Sequence, residues 1–502
     1  MFILGFQSFF CMLLSKSKYL VGLQCLKALW IQVNAKDEIP SISESQQFIF
    51  DQGNAVGNIA KKLYPTGVDV NVSDFMGSIN ETKKLVEKRK TIFEAAFMKN
   101  KLYARADILL PIGENEWDIV EVKSSTRVKE INLHDLSFQK FVYESCGLKI
   151  RKTFLVFINS KYERINELDL KELFSQEDVT EKVNDISKGI ESRIQKMFDV
   201  LFIKKRPEVC IGVNCKTPYE CSLKNNCWNF LPKNNVFNLY RGGKKSFELF
   251  EMGVNSIKNI PDSFTLNEKQ QIQFDCEKNN RFHINKEKIK DFLKTLNYPL
   301  YFLDFETYNT AIPIHNKSKP YQQIPFQFSL HIQQEENFEL VHYSFLAEGN
   351  KDSREDFLKK LKELLGEKGS VVVYNEAFEK ARLRELAVLF PEENEWVEQT
   401  NSRVVDLLIP FRNFDYYDPV QCGSASIKKV LPATTNKSYS EMEINNGGMA
   451  STQFLYITNF FQKPNLPLEI EIKKTRENLE KYCELDTLAE YLILEKLKKE
   501  VK

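Results

Sequence analysis

Four of the ten cysteines, Cys210, Cys215, Cys221 and Cys227, fall within 18 residues in the run VCIGVNCKTPYECSLKNNCW. Thiolates this dense in a long chain of a reducing compartment point to a metal or an iron–sulfur cluster rather than to disulfides. Their spacings differ from the CxxC pairs of a zinc ribbon, so a cluster, a zinc knot and plain buried thiols all stay open. A second chemistry is carried by carboxylates. In YARADILLPIGENEWDIVEVKSSTRV, Glu121 and Lys123 share one face of a strand, and Asp107, one strand earlier, reaches the same edge. Two acids and an ammonium together suit metal-dependent phosphodiester hydrolysis: the acids hold Mg²⁺, the ion lowers the pKa of bound water, and the lysine steadies the hydroxide or the developing charge. A third set lies toward the C-terminus. The apolar run YPLYFLDFETY carries Asp304 and Glu306 on one face, where buried acids demand basic partners or metal ions. Farther on, Glu379 falls in the first turn of a helix capped by Asn375, and Tyr482 and Asp486 stand four residues apart on one face of an amphipathic helix.

The elements that position these groups follow from periodicity. Residues 16–230 alternate helical and strand patterns; the helix INLHDLSFQKFVYESCG places Gln139 and Tyr143 on one face. Residues 231–297 read as a Lys- and Asn-rich helical connector, either a solvated spacer or a backbone-touching hairpin presenting Lys244, Lys245 and Lys258. Residues 298–502 form the last domain. The total of 502 residues suggests about three folding units, and 42% hydrophobic against 28% charged residues excludes collagen-like and disordered classes. A net charge of +1 excludes a polycation that wraps nucleic acid wholesale. The apolar start MFILGFQSFFCMLL is shorter than the roughly 20 residues of a membrane span and lacks a basic lead. Residues 1–15 are read as an extension, with Met12 an alternative start, and the chain as cytoplasmic without membrane attachment. A poor signal or anchor is the competing reading.

Asp107, the Glu121–Lys123 triplet and Gln139-x3-Tyr143 resemble the PD-(D/E)XK nucleases of the RecB-like group, whose CRISPR-associated members carry an iron–sulfur cluster. The resemblance implies that Cys25 together with Cys215, Cys221 and Cys227 holds a 4Fe-4S cluster pinning the ends of the domain, with Zn²⁺ the alternative and Cys210 a spare. Where those proteins often place a histidine on the first core helix, this chain has Gly57 or Asn58, with Glu94 a candidate stand-in.

Asp304, Glu306, Glu379, Tyr482 and Asp486, in this order, resemble the DEDD exonucleases of the RNase H-like fold, in the subtype whose third motif is YxxxD. By that resemblance Asp304, Glu306, Glu379 and Asp486 hold two Mg²⁺ or Mn²⁺ ions, Tyr482 positions or helps activate the attacking water, and mononucleotides leave a 3′ end. Glu379 stands where the family usually has aspartate, and Asp406 is a further acid. The loops IPIHNKSKPYQQIPFQFSLH and YYDPVQCGSASIKKVLP are placed either to grip a single strand or to pack. His134, His283, His315, His331 and His342 form no ligand-spaced pair in sequence and are read as structural.

The pairing of the two modules resembles an uncharacterised bacterial family of unknown function. The expectation is therefore an α/β protein, an iron–sulfur PD-(D/E)XK domain followed by a DEDD-type RNase H-like domain. It acts as a metal-dependent deoxyribonuclease on DNA single strands or ends, in end processing, repair or defence. A nucleic-acid-binding protein with degenerate sites and an RNA exonuclease are the alternatives.

Overall fold

The computed structural model describes residues 13–72, 74–458 and 467–502. The expected extension lies mostly outside these. The chain is mixed α/β and divides into two units, residues 1–229 with 310–321, and residues 230–309 with 322–502. Among the described residues, no helix is long and apolar enough to cross a membrane.

In the first unit, strands β1 (Leu14–Ser15), β2 (Val68–Asp69), β3 (Ile92–Lys99), β4 (Leu102–Ile112), β5 (Glu116–Lys123), β6 (Lys149–Ile158) and β7 (Phe174–Asp178) form one sheet. Its order is β2-β3-β4-β5-β6-β7, with β1 added beside β4. β4 and β5 are an antiparallel hairpin, whereas β5 and β6 are parallel and joined through the helix Glu130–Ser145. β5 is central and covered on both faces, so its apolar residues divide between two cores. Ile119 packs with Leu136, Phe138 and Val142 of that helix, and Val120 and Val122 pack with Val56 and Ala60 of the helix Glu44–Lys61. Glu121 shares the Ile119 face, which sets it under the helix Glu130–Ser145.

Residues 13–15, the described end of the expected extension, join the sheet. Leu14 is fully buried and pairs with Leu102, and this short strand delivers Lys16 to the start of the helix Lys16–Gln24.

The second unit contains β8 (His283–Ile284), β9 (Leu300–Tyr308), β10 (Ile324–Gln333), β11 (Leu340–Leu346), β12 (Ser370–Val373), β13 (Val404–Asp406) and β14 (Tyr416–Tyr417). Five of these make a sheet in the order β11-β10-β9-β12-β13, and β14 pairs with β8. β9, β10 and β11 are antiparallel in succession, while β12 and β13 run parallel to β9. The helix Glu469–Val501, about 50 Å long at 1.5 Å per residue, buries Leu479, Tyr482, Cys483, Asp486, Ala489, Glu490, Ile493 and Leu497, a stripe at i, i+3, i+4 and i+7.

The segment expected as a connector counts with this second unit. Val236, Leu239, Leu249, Ile257, Ile260 and Phe274 give it a small apolar core, and Lys245 donates to the Thr265 carbonyl instead of standing free. Of the loop expected at residues 312–331, the part from Ile324 onward is β10, buried along its whole length and therefore packing.

Candidate active sites and the cysteine cavity

In the first unit the β4–β5 register carries Asp107 alongside Glu121, and Asp107 Oδ2 accepts from the Val122 N–H at 2.7 Å. Glu121 Oε1 receives Lys123 Nζ at 2.6 Å and Lys16 Nζ at 2.8 Å, and Glu121 Oε2 accepts from Gln139 Nε2 at 2.8 Å. Asp135, one turn before Gln139, completes the cluster by accepting from Lys123 and Gln139, each at 2.8 Å. Three carboxylates thus face two ammonium groups. Burial, then Asp107 and Asp135, push the Glu121 carboxyl up. Burial alone lowers Lys16 and Lys123, but the surrounding carboxylates outweigh it and hold both charged. Asp135 resists burial because Lys123 and Lys16 keep it well below the usual carboxylate range.

Tyr143 does not join this group as a reactive hydroxyl. It is fully buried, donates to the Ala95 carbonyl at 2.5 Å and accepts from the Ala106 N–H at 2.8 Å, tying β3 to β4. Glu94 has a φ of 58° and is held by Lys61 at 3.4 Å and Arg105 at 3.0 Å, so both its oxygens are committed to cations. A side chain at Gly57 meets nothing within 4 Å at its Cβ, so the position that lacks the family's histidine is sterically open.

In the second unit, carboxylate oxygens of Asp304, Glu306 and Asp486 lie within 4.8 Å of one another. β9 supplies the first two and the long helix the third. Asp486 Oδ1 accepts from the Tyr439 hydroxyl at 2.6 Å, and Tyr482 also hydrogen-bonds it. Burial and mutual repulsion push Asp304 and Glu306 well up, and burial brings Asp486 to about 6. The donor set of three clustered oxygens, on half-buried Asp304 and buried Glu306 and Asp486, fits Mg²⁺ or Mn²⁺, hard ions that take oxygen ligands.

Glu379 stands outside that triad. It is 3% exposed, its Oε2 has no hydrogen-bond partner, and burial followed by repulsion from Asp406 pushes it up to about 8. Its helix does begin after Asn375, but that residue makes no side-chain cap and takes a φ of 90°, its N–H donating to Asp406 Oδ1 at 2.9 Å. Asp406 is not a spare ligand, since the same oxygen also accepts from the Leu408 N–H at 2.9 Å and Arg412 lies 3.6 Å from Oδ2.

Three further groups complete the surroundings. Glu490, one turn beyond Asp486, is 1% exposed with neither oxygen partnered, and burial, then Asp304, Glu379 and Asp486, raise it well up. Lys428 supplies a cation over the rings of Tyr439 and Tyr482 at 5.5 and 5.2 Å. A Cβ at Gly447, the first residue of the helix Gly447–Ile457, would come 3.3 Å from Glu306 Oε2. Glu490 and Asp135 were readable as i+4 and i−4 neighbours of residues already singled out; Lys16, Tyr439 and Lys428 carry no local signal.

Cys25, Cys210, Cys215, Cys221 and Cys227 line one cavity with Lys27, Ala28, Val209, Ile211, Leu223 and Lys224. Cys25 precedes the helix Leu26–Asn34, whose Ala28 and Lys27 N–H groups bond its sulfur, and the Leu223 N–H bonds that of Cys221. Burial pushes both thiols up while these amides oppose it. Among the described residues, no three of these sulfurs lie within 4.8 Å of one another, whereas four thiolates on a single Zn²⁺ stand about 3.8 Å apart at Zn–S of about 2.3 Å. Five thiols thus share one cavity without the close grouping of a single-ion site, and Lys224 of its lining is engaged by Glu220.

Residues 301–426 match the family described as Domain of unknown function (DUF2779). The chain is similar to the Uncharacterized protein MG366 homolog of Mycoplasma pneumoniae, 29% identical over 228 residues, 40% of this chain and 32% of that protein. It is 30% identical over 220 residues to the Uncharacterized protein MG366 of Mycoplasma genitalium, covering 40% of this chain and 32% of that protein. With the Uncharacterized protein UU173 of Ureaplasma parvum it shares 27% identity over 241 residues, 44% of this chain and 34% of that protein. The chain thus spans about a third of the length of these curated relatives.

Proposed function

We propose that this chain is a metal-dependent nuclease whose second unit removes nucleotides from the 3′ end of DNA and whose first unit holds a second phosphodiesterase site. The observation that carries the reading is the triad Asp304, Glu306 and Asp486, one half-buried and two buried carboxylates with converging oxygens. Acids crowded in this way must be neutralised, by protons in the metal-free protein or by cations. The order β11-β10-β9-β12-β13, three antiparallel strands followed by two parallel ones, supports the RNase H-like reading. Asp107, Glu121 and Lys123 on one hairpin support the PD-(D/E)XK reading.

Asp304, Glu306 and Asp486 would hold Mg²⁺ or Mn²⁺, ions that supply Lewis-acid stabilisation of the attacking and leaving oxygens when bound, and Glu379, with its unpartnered Oε2, is the fourth acid of the proposed set. The residues themselves orient and shield. Tyr439 and Tyr482 fix Asp486. Burial and the neighbouring acids hold the Tyr482 phenol far up its range, so it stays protonated, donates to Asp486 and acts as a positioning residue that does not take the water's proton. The N-terminal turn beside Glu306 favours a phosphate oxygen. The five-cysteine cavity is assigned a 4Fe-4S cluster on Cys25, Cys215, Cys221 and Cys227, a structural staple with no part in hydrolysis, with Zn²⁺ the alternative; the meeting of Cys25 with the distant cysteines in one cavity supports a metal-bound staple. A cytoplasmic setting belongs to this reading, because such a cluster needs reducing conditions.

One observation favours a second reading for the first unit. Both oxygens of Glu121 are already engaged by Lys16, Lys123 and Gln139, so a divalent ion there must take the place held by Lys16, and without that exchange the unit binds nucleic acid but does not cut. The test is cleavage of end-labelled single- and double-stranded DNA and RNA with Mg²⁺ or Mn²⁺ by the unmodified chain, Glu121→Ala and Asp304→Ala. Loss of a distinct product in each variant supports two nucleases; binding without cleavage beyond a metal-only blank supports the degenerate reading, and RNA-only products move the substrate to RNA.

A further inference from the structure

The two histidines that look unrelated in sequence are cross-strand partners. His331 of β10 pairs with His342 of β11 in register, and the ring centroids stand 4.5 Å apart. One nitrogen of each ring and a carboxylate oxygen of Glu484, on the long helix, lie within 4.8 Å of one another. Thr487 Oγ1 contacts Ser329 Oγ and His331 Nδ1, each at 2.7 Å, and Ser329 Oγ contacts His342 Nε2 at 2.9 Å. One nitrogen of each ring is thus engaged by a hydroxyl, which leaves His331 Nε2 and His342 Nδ1 outside these contacts; a neutral imidazole hydrogen-bonded through one nitrogen can ligate a metal through the other. Burial lowers both rings, His331 to about 4, which keeps them neutral and unprotonated at neutral pH.

We propose that His331, His342 and Glu484 bind one divalent transition-metal ion of the zinc type, with Ser329 and Thr487 orienting the rings from behind. Two imidazoles and a carboxylate are a donor set that imidazole-preferring ions take in preference to Mg²⁺. The ion ties β10 and β11 to the helix that also carries Tyr482 and Asp486. Its role is a clamp on that helix, distinct from the oxygen-only triad and independent of whether the triad hydrolyses anything.

The test is competition for Zn²⁺ against a chromophoric chelator in excess Mg²⁺, comparing the full-length chain with His342→Gln and Glu484→Gln. Glu484 is exposed and His342 half-buried, so both variants should fold, which far-UV circular dichroism verifies. The unmodified chain is expected to hold one tight equivalent more than His342→Gln, and Glu484→Gln to hold that equivalent at least tenfold more weakly. Co²⁺ loaded into the same equivalent should give visible d–d bands that vanish in His342→Gln without loss of any thiolate charge-transfer band, separating this site from the cysteine cavity. Equal Zn²⁺ stoichiometry and affinity in all three proteins, or Co²⁺ bands unchanged by His342→Gln, overturns the assignment.

Discussion

Tyr143 and Lys16 show how one side chain's partners decide its role. The Tyr143 hydroxyl serves two backbone groups at once, so Tyr143→Phe strands a buried carbonyl and a buried N–H. The expected cost is about 1–3 kcal/mol in urea denaturation, with cleavage per folded molecule unchanged; a catalytic tyrosine would lose activity at constant stability. Lys16 is about a quarter exposed and faces buried Glu121. Lys16→Met therefore removes one of two cations from three acids, at a cost of about 1–2 kcal/mol after allowance for solvent screening. Added Mg²⁺ should then raise the thermal midpoint more in the variant than in the unmodified chain, because the ion enters the place the ammonium vacated. An equal response in both proteins would show that Lys16 does not occupy a metal position.

At the scale of elements, the strands and helices that carry chemistry were readable because each repeats its period over many residues. The two-residue period of a strand puts Glu121 and Lys123 on one face of β5, and the last helix keeps an apolar stripe through Tyr482 and Asp486. Partners from distant segments were not readable: Lys16 reaches Glu121 across 105 residues and Tyr439 reaches Asp486 across 47. No local pattern encodes such contacts. The same limit hid the pairing of His331 with His342, which only the β10–β11 register brings together. The i+4 spacing of Tyr143 from Gln139 places both on one face without saying which of them meets backbone, and the structure gives that part to Tyr143. Gly447 offers an element-scale prediction. Gly447→Ala brings a methyl to 3.3 Å from Glu306 Oε2, so the Mg²⁺ concentration for half-maximal cleavage should rise several-fold. Stability should stay within about 0.5 kcal/mol, as checked by metal titration of the activity beside a thermal melt.

Over the whole molecule, buried acids set the dependence of stability on pH. Burial holds Asp486 at about 6 and Glu379 at about 8, while the unfolded chain releases these protons near the ordinary carboxyl value of about 4. Between about pH 4 and pH 8 the folded state therefore binds more protons than the unfolded one, and stability falls as pH rises. Asp135 has the opposite sign. Held below the usual range by Lys123 and Lys16, its contribution is full above the ordinary carboxyl range and is lost only in stronger acid. The metal-free protein should accordingly melt highest near pH 5 and lower at pH 8, with Mg²⁺ restoring most of the difference at pH 8. A melting temperature indifferent to pH and Mg²⁺ would mean that the acid cluster is not a cation site.

The most direct measurement is Mg²⁺-dependent digestion of a 5′-labelled single-stranded DNA by the full-length chain and by Asp486→Asn, which keeps the shape of the side chain and its place under Tyr439 but removes one metal-binding charge. A 3′ exonuclease at this triad gives a ladder of products shortened one nucleotide at a time from the 3′ end, abolished by Asp486→Asn and by chelation of Mg²⁺. An identical ladder from both proteins, or no ladder from the unmodified chain, would contradict it.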